Sequence, residues 1–210
     1  LKGDIDILTL TATPIPRTLN LSLLGIRDLS VIDTSPEGRQ KIQTEYIDNN
    51  KDLIRDIILT EVSREGQVFY IFNSVKRIEM KSKELRELLP EYIKVDYIHG
   101  QMLARDIKRA IHNFENGNTD VLIATTIIEN GIDIENANTM IIEGVEKLGL
   151  SQVYQLRGRI GRSNKKSYCY MLMNENKTKN AQKREESIRE FDNLTGIDLS
   201  MEDSKIRGVG

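Results

Sequence analysis

The 210-residue chain has no tryptophan, one cysteine, two histidines and four prolines, and aromatic residues make up only 5% of it. With a single cysteine, Cys169, neither an internal disulfide framework nor a zinc site can be assembled from this chain, so no metal ligand set is expected. Cys169 lies in the apolar run Tyr168–Met173, where a buried strand thiol is the expectation. That usage suits the cytoplasm. No apolar run approaches the roughly 20 residues needed to span a bilayer, and no signal-peptide pattern is present. Leu1 stands inside an apolar strand pattern, as expected of a piece of a longer protein. Two phosphate-binding signatures are missing as well. There is no G-x-x-x-x-G-K-[ST] loop, and no G-x-G-x-x-G follows a strand, which argues against dinucleotide binding.

What is there begins with charge. The net charge of -2 argues neither for nor against a polyanionic partner. Its distribution says more. Between Arg157 and Arg184 stand nine basic residues against one acidic residue, Glu175. A basic block on an otherwise acidic chain suggests a surface that faces polyanions, although a solvated helical face gives the same pattern. Within it lies Gln155-Leu-Arg-Gly-Arg-Ile-Gly-Arg162. Arg159 and Arg162 are separated by little side-chain bulk, so the backbone can turn closely and the guanidinium forks can point at phosphate. An arginine finger needs that arrangement, and here it comes without a nucleotide loop.

The hydrophobic pattern alternates between strand and helix. Ile5–Thr11 reads as a buried strand stopped by Pro14 and Pro16, and Asp33–Arg39 as a linker. Ile42–Ile47 alternates like a half-buried strand. Leu53, Ile54, Ile57, Ile58 and Val62 form a helical stripe, and Gln67–Phe72 a compact strand. Val75, Ile78, Leu85, Leu88 and Leu89 mark a helix ended by Pro90, and Val95–Ile98 a strand. Leu103, Ile107, Ala110, Ile111 and Phe114 predict another helix. Val121–Ala124 and Thr139–Ile142 are strands, Ser151–Ile160 is a helix, and Tyr168–Met173 is a last strand. Such alternation implies one α/β domain with a mostly parallel sheet covered on both faces. After Met173 the chain turns polar and reads as an appendage.

In open α/β sheets ligands gather beyond the carboxyl ends of the strands. Asn73 follows one strand, His99 and Gly100 follow another, and Thr125 and Thr126 a third, with Gly131 and Asp133 close behind. Hydroxyls and free backbone N–H groups there suit phosphate. Strand-to-helix loops also favour small polar residues for capping alone, so no single position decides the matter.

Taken together these segments resemble superfamily 2 helicases and translocases over essentially the whole chain. Leu122-Ile-Ala-Thr-Thr-Ile-Ile-Glu-Asn-Gly-Ile-Asp-Ile134 resembles motif V, Gln155–Arg162 motif VI and Thr11-Ala-Thr13 motif III. Thr11–Leu19 and Gly149–Arg162 are similar to two groups, the RecG-type fork remodellers and the transcription-repair coupling factors. Leu24–Ile32 and Gly131–Thr139 look more like the coupling factors.

The resemblance implies a RecA-like three-layer sandwich with a C-terminal helical hairpin. It implies residues 1–20 as the end of a preceding RecA-like domain, 21–45 as a linker, and 46–173 as the second RecA-like domain. Residues 174–210 would be the hairpin and the start of a translocation motif. Arg159 and Arg162 would reach ATP, carried with Mg2+ mainly by the first motor domain. Gly131, Asp133 and Gln155 would lie at the nucleotide edge. Asn73, His99, Gly100, Thr125 and Thr126 would track one DNA strand by its backbone. Thr11 and Thr13 would couple the domains, and Arg207 would pass domain closure to DNA movement. The implied partners are double-stranded DNA and, through other domains, RNA polymerase and excision-repair proteins, with no membrane and a monomeric chain. A RecG-type helicase acting on stalled replication forks is the alternative. A nucleic-acid-binding module without catalysis is a further one, opposed by the intact arginine pair.

Two departures bear on this. The helix after Met102 opens with Leu103, where the family usually has a capping serine. DEAD-box RNA helicases carry Gln and Arg where this chain has Ala104 and Ile107, which disfavours RNA. Scarce aromatics favour backbone tracking on duplex DNA over base stacking on a single strand.

Overall fold

The computed structural model describes residues 41–127, 134 and 136–173, with the isolated positions 8, 10 and 30. Thr11, Thr13, Gly131, Asp133, Arg207, the expected hairpin and most of the expected linker lie outside the described residues.

Among the described residues six strands and four α-helices follow one another. In order they are β1 (Gln43–Asp48), α1 (Lys51–Ser63), β2 (Gln67–Phe72), α2 (Ile78–Leu88), β3 (Val95–Ile98), α3 (Ala104–Glu115), β4 (Val121–Ala124), β5 (Ala137–Glu143), α4 (Leu150–Arg157) and β6 (Tyr168–Met173). A 3₁₀ turn, Val145–Lys147, precedes α4. β1 begins within the range read as a linker. The strands form one sheet in the order β1-β6-β5-β2-β4-β3, and every neighbouring pair is parallel.

Parallel neighbours need crossovers, and crossovers are right-handed, so the direction of travel along the sheet selects the face each helix covers. The chain moves one way from β1 through β2 to β3, and α1 and α2 share one face. There Ile54, Ile57, Ile78 and Leu85 pack on Val68, Tyr70 and Phe72. It moves back from β3 to β4 and from β5 to β6, and α3 and α4 cover the other face. There Ala110, Phe114, Val153 and Leu156 pack on Phe69, Ile71 and Met140. The result is a three-layer α/β sandwich. β2 and β4 are buried at every position, which is why they read as continuous apolar runs rather than alternating ones. Cys169 is buried as expected.

Two helix boundaries differ from the hydrophobic pattern. α2 starts at Ile78 rather than Val75, because the Ser74 N–H donates to the Phe72 carbonyl and the Arg77 N–H to the Ser74 carbonyl, closing a turn first. α4 ends at Arg157 rather than Ile160. Beyond it the Arg159 and Ile160 N–H groups donate to the Leu156 and Arg157 carbonyls, tightening the chain. Gly161 then adopts a left-handed φ of 78°.

α1 and α3 start differently. The Asn50 side chain accepts from the Asp52 and Leu53 N–H groups (2.9 and 3.2 Å). Leu103 sits at the corresponding place before α3 with extended backbone and no side-chain cap. It is 59% exposed, so little burial is lost on replacement. Leu103→Ser is expected to raise stability by about 1 kcal/mol, read as a higher urea midpoint at unchanged slope.

Candidate functional site

The sheet presents two separate groups of polar residues, one beyond each end of its strands. Beyond the carboxyl ends, β2, β4 and β3 are adjacent. Ala124 is in register with both Ile71 and Ile98. That register lines up Asn73, Thr125-Thr126 and His99-Gly100 on three neighbouring strands, so five of the residues singled out from sequence come together. The Thr125 N–H donates to the Ile98 carbonyl (3.4 Å), tying two of these loops at their roots. Thr125 is buried and Thr126 half-buried, so Thr126 is the more accessible of the pair. Asn73 and Gly100 are exposed. Among the described residues, only Ile127 Cδ1, at 3.9 Å, lies near where a Cβ on Gly100 would stand. Packing within this part of the chain therefore does not demand glycine there.

His99 is held by its own loop. Its Nδ1 accepts from the Gln101 N–H (3.3 Å), an arrangement that assigns the ring N–H to Nε2. Its ring stacks on Tyr97 at 6.2 Å between centroids. β2 and β5 are neighbours whose following helices lie on opposite faces, and a doubly wound sheet opens a crevice at such a point. Asn73 stands at its rim. Just beneath, the Tyr70 hydroxyl donates to Glu143 (2.5 Å), and Lys81 bridges Glu143 and Glu84 (both 3.1 Å). Burial, and then the Glu143 charge, push the Tyr70 phenol well above its usual range, so it remains a donor.

The arginines lie at the other end. α4 runs back along the sheet, so the loop from Gly158 to Ser167 crosses the amino ends of the strands. Several contacts fix it there. The Gln43 N–H donates to the Ser167 carbonyl (2.9 Å). Arg157 Nη1 donates to Thr44 Oγ1 (3.2 Å), and its guanidinium lies 5.9 Å from the Tyr154 ring centre. Ser163 Oγ donates to Asn138 Oδ1 at the start of β5. A Cβ on Gly161 would stand 3.1 Å from Ile42 Cγ1, so the left-handed turn also allows a close approach. Gln155 in the last turn of α4 and Arg159 beyond its end are half-buried, and Arg162 is exposed. All three lie along the turn by which the chain leaves α4. At about 3.3 Å per residue, strands of this length hold the two groups roughly 15–20 Å apart.

Lys165 belongs to the basic block counted from sequence, yet its ammonium is engaged within the fold. Nζ donates to the Arg64 and Glu65 carbonyls (2.8 and 3.1 Å). Sequence reasoning missed these partners, along with Glu61, which is 1% exposed. One signal was available: Glu61 falls seven residues after Ile54, on the buried stripe of α1, where a carboxylate needs a partner.

The chain matches the family model for the helicase conserved C-terminal domain over residues 48–164. It is 48% identical, over its whole length, to the transcription-repair-coupling factor of Staphylococcus haemolyticus, of which it covers 18%. The protein of that name from Staphylococcus aureus strain USA300 is also 48% identical. The chain thus spans about a fifth of the length of the curated relatives it matches. Among solved structures, RecG bound to a three-way DNA junction superposes with a TM-score of 0.76 and 33% identity, over 91% of this chain and 26% of that one. Yeast Dbp5 (S. cerevisiae), solved with RNA and ADP BeF3, shares the fold at 17% identity and a TM-score of 0.62, over 94% of this chain and 53% of that one.

Proposed function

The chain belongs to the helicase conserved C-terminal domain family, and on that premise we propose that it is the second RecA-like motor domain of an ATP-dependent double-stranded DNA translocase acting in transcription-coupled repair. The observation that carries the proposal is the division of polar residues between the two ends of one sheet. A translocase has two jobs, sensing a nucleotide and gripping a strand, and polar groups at opposite ends of one sheet would serve one each. The 48% identity to transcription-repair-coupling factors over the whole chain favours that branch over RecG-type fork remodelling, against 33% for RecG.

In this proposal Gln155, Arg159 and Arg162 face ATP held in a phosphate loop on a preceding domain. Their chemistry fits: two permanently charged forks and an amide offer donors in the planar geometry that phosphate oxygens accept. A magnesium ion carried with the nucleotide would supply neutralisation of phosphate charge there. Arg159 and Arg162 stabilise the charge that develops on the transferring phosphoryl group, and Gln155 orders the donors around it. Gly131 and Asp133 would contribute at the nucleotide edge. At the other end Asn73, Thr126, the His99 Nε2–H and the Gly100 backbone N–H bind successive phosphates of one DNA strand, with Thr125 anchoring the loop beneath. Thr11 and Thr13 would couple the two domains, and Arg207 would pass domain closure to DNA movement. Residues 1–20 would finish the first domain, 21–45 link the two, and 174–210 form the hairpin and the start of the translocation motif. RNA polymerase and excision-repair proteins would be engaged by other domains, in the cytoplasm.

The direct test uses the 210-residue chain by itself. It is expected to show no ATP turnover, because three donors without a phosphate loop cannot hold the nucleotide. Its weak affinity for duplex DNA should fall steeply between 50 and 200 mM salt, as phosphate contacts release counterions. Robust ATPase activity from this chain alone, or salt-insensitive DNA binding, contradicts the proposal.

A further inference from the structure

We propose that Glu61, Arg64 and Lys165 form a clamp that positions the arginine loop, so that turnover depends on three residues that do not themselves reach the nucleotide. The inference rests on the assignment of Arg159 and Arg162 to ATP.

The clamp is built from the end of α1 and the turn into β2. Glu61 is buried in the last turn of α1. Its Oε2 accepts from Thr139 Oγ1 in β5 (2.7 Å) and lies 3.5 Å from Arg64 Nη1. Its Oε1 has no hydrogen-bond partner among the described residues. That oxygen rests against Gly66, where an added Cβ would fall 1.7 Å from it. The backbone thus reserves this space for a carboxylate. Burying a charge is costly unless it is paired, and the neighbouring cation is Arg64. Held by Glu61, the Arg64 fork turns its other arm outward. Nη2 donates to the Lys166 carbonyl (2.6 Å), and the guanidinium lies 5.4 Å from the Tyr168 ring centre.

The arginine loop reaches back in return. Lys165 Nζ grips the Arg64 and Glu65 carbonyls (2.8 and 3.1 Å). Glu65 has a left-handed φ of 59°, a conformation unusual for a residue with a side chain. Its carbonyl receives Asn136 Nδ2 (2.9 Å) as well as the ammonium. Ser163 Oγ donates to Asn138 and accepts from the Lys165 N–H (3.2 Å). Residues 163–166 are therefore fixed from two sides, and Arg162 comes directly before them.

Magnitudes separate positioning from plain stability. Lys165 contributes hydrogen bonds at a partly open edge, so its loss should shift melting by only a few degrees. A catalytic group displaced by about 1 Å costs on the order of 10²-fold in rate. The clamp therefore matters more for turnover than for folding.

The experiment uses the full-length motor and compares Lys165→Met, Lys165→Arg, Arg64→Lys and Arg162→Ala by steady-state ATPase kinetics with duplex DNA present. Lys165→Met and Arg64→Lys are expected to lower kcat by roughly 10–100-fold with ATP KM nearly unchanged. Lys165→Arg, which keeps cationic donors within reach of both carbonyls, should recover most of the rate. Lys165→Met combined with Arg162→Ala should be no slower than Arg162→Ala alone, because both act through one group. If Arg162→Ala abolishes turnover while Lys165→Met and Arg64→Lys retain full kcat, the clamp is refuted and the arginine assignment stands. If Arg162→Ala itself turns over normally, the assignment fails and the clamp fails with it. A kcat loss that tracks a large drop in melting temperature, without rescue by arginine, shows a merely structural role and overturns the proposal.

Discussion

Arg162→Ala in the full-length motor is expected to lower ATP turnover by about 10³–10⁵-fold while leaving nucleotide affinity within a few-fold, since an arginine finger acts on transition-state charge rather than on ground-state binding. The size follows from removing a fixed charge from a site that has no replacement for it. It corresponds to about 4–7 kcal/mol of barrier. Arg162 is exposed at the lip of the loop, and left-handed Gly161 directly before it orients the chain. Removing its side chain should therefore leave the core intact. Arg162→Lys should fail nearly as badly, because an ammonium cannot reproduce the planar fork. Single-turnover kinetics beside equilibrium binding of a non-hydrolysable ATP analogue separate the two quantities. A variant that loses affinity while keeping its saturated single-turnover rate would mean that Arg162 contributes uniform binding, and the finger role would be wrong.

Phe114→Ala should cost about 3–5 kcal/mol of folding stability, the range for emptying a fully buried aromatic site. Phe114 is 0% exposed near the end of α3, and its ring meets Phe69 of β2 at 5.0 Å between centroids, inclined by 59°. The site cannot collapse easily. The Phe114 carbonyl is fixed by Gln67 Nε2 (2.6 Å), which also holds the Thr119 carbonyl (2.7 Å). Domains of this size have about 5–15 kcal/mol in total, so the variant would be close to half unfolded in mild denaturant. Urea unfolding at unchanged slope tests it, and a loss below about 1 kcal/mol would show that α3 repacks freely.

Most of the strands were the most legible part of the fold. β2, β3, β4 and β6 occupy the ranges that the apolar runs predict, because short buried runs bounded by turn residues leave little choice of limits. β5 is longer than its apolar run. It starts at Ala137 and includes Asn138, a polar residue buried by virtue of its bond to Ser163. The α4 boundary was misjudged because Ile160 continues the apolar spacing, while the Leu156 and Arg157 carbonyls have already accepted from the N–H groups of Arg159 and Ile160. The polar group beyond the carboxyl ends of the strands was legible because the strand-end rule needs only the order of elements. The clamp was not. Its contacts join residues about a hundred positions apart, as in Arg64 with Lys166 and Lys165 with Arg64. No local periodicity announces such a pairing.

The six-stranded parallel sheet, with helices packed on both faces, has one more consequence for the proposed motor. Such a slab tilts rather than bends, so in that proposal it would work as a lever with its two polar groups at opposite tips. For an arm of about 15–20 Å, a tilt of roughly 10° set at the arginine tip would move the opposite tip by about 3 Å. That is close to the 3.4 Å rise of one nucleotide along a DNA strand. The length of the strands would then be the gear ratio between nucleotide chemistry and the stride along DNA.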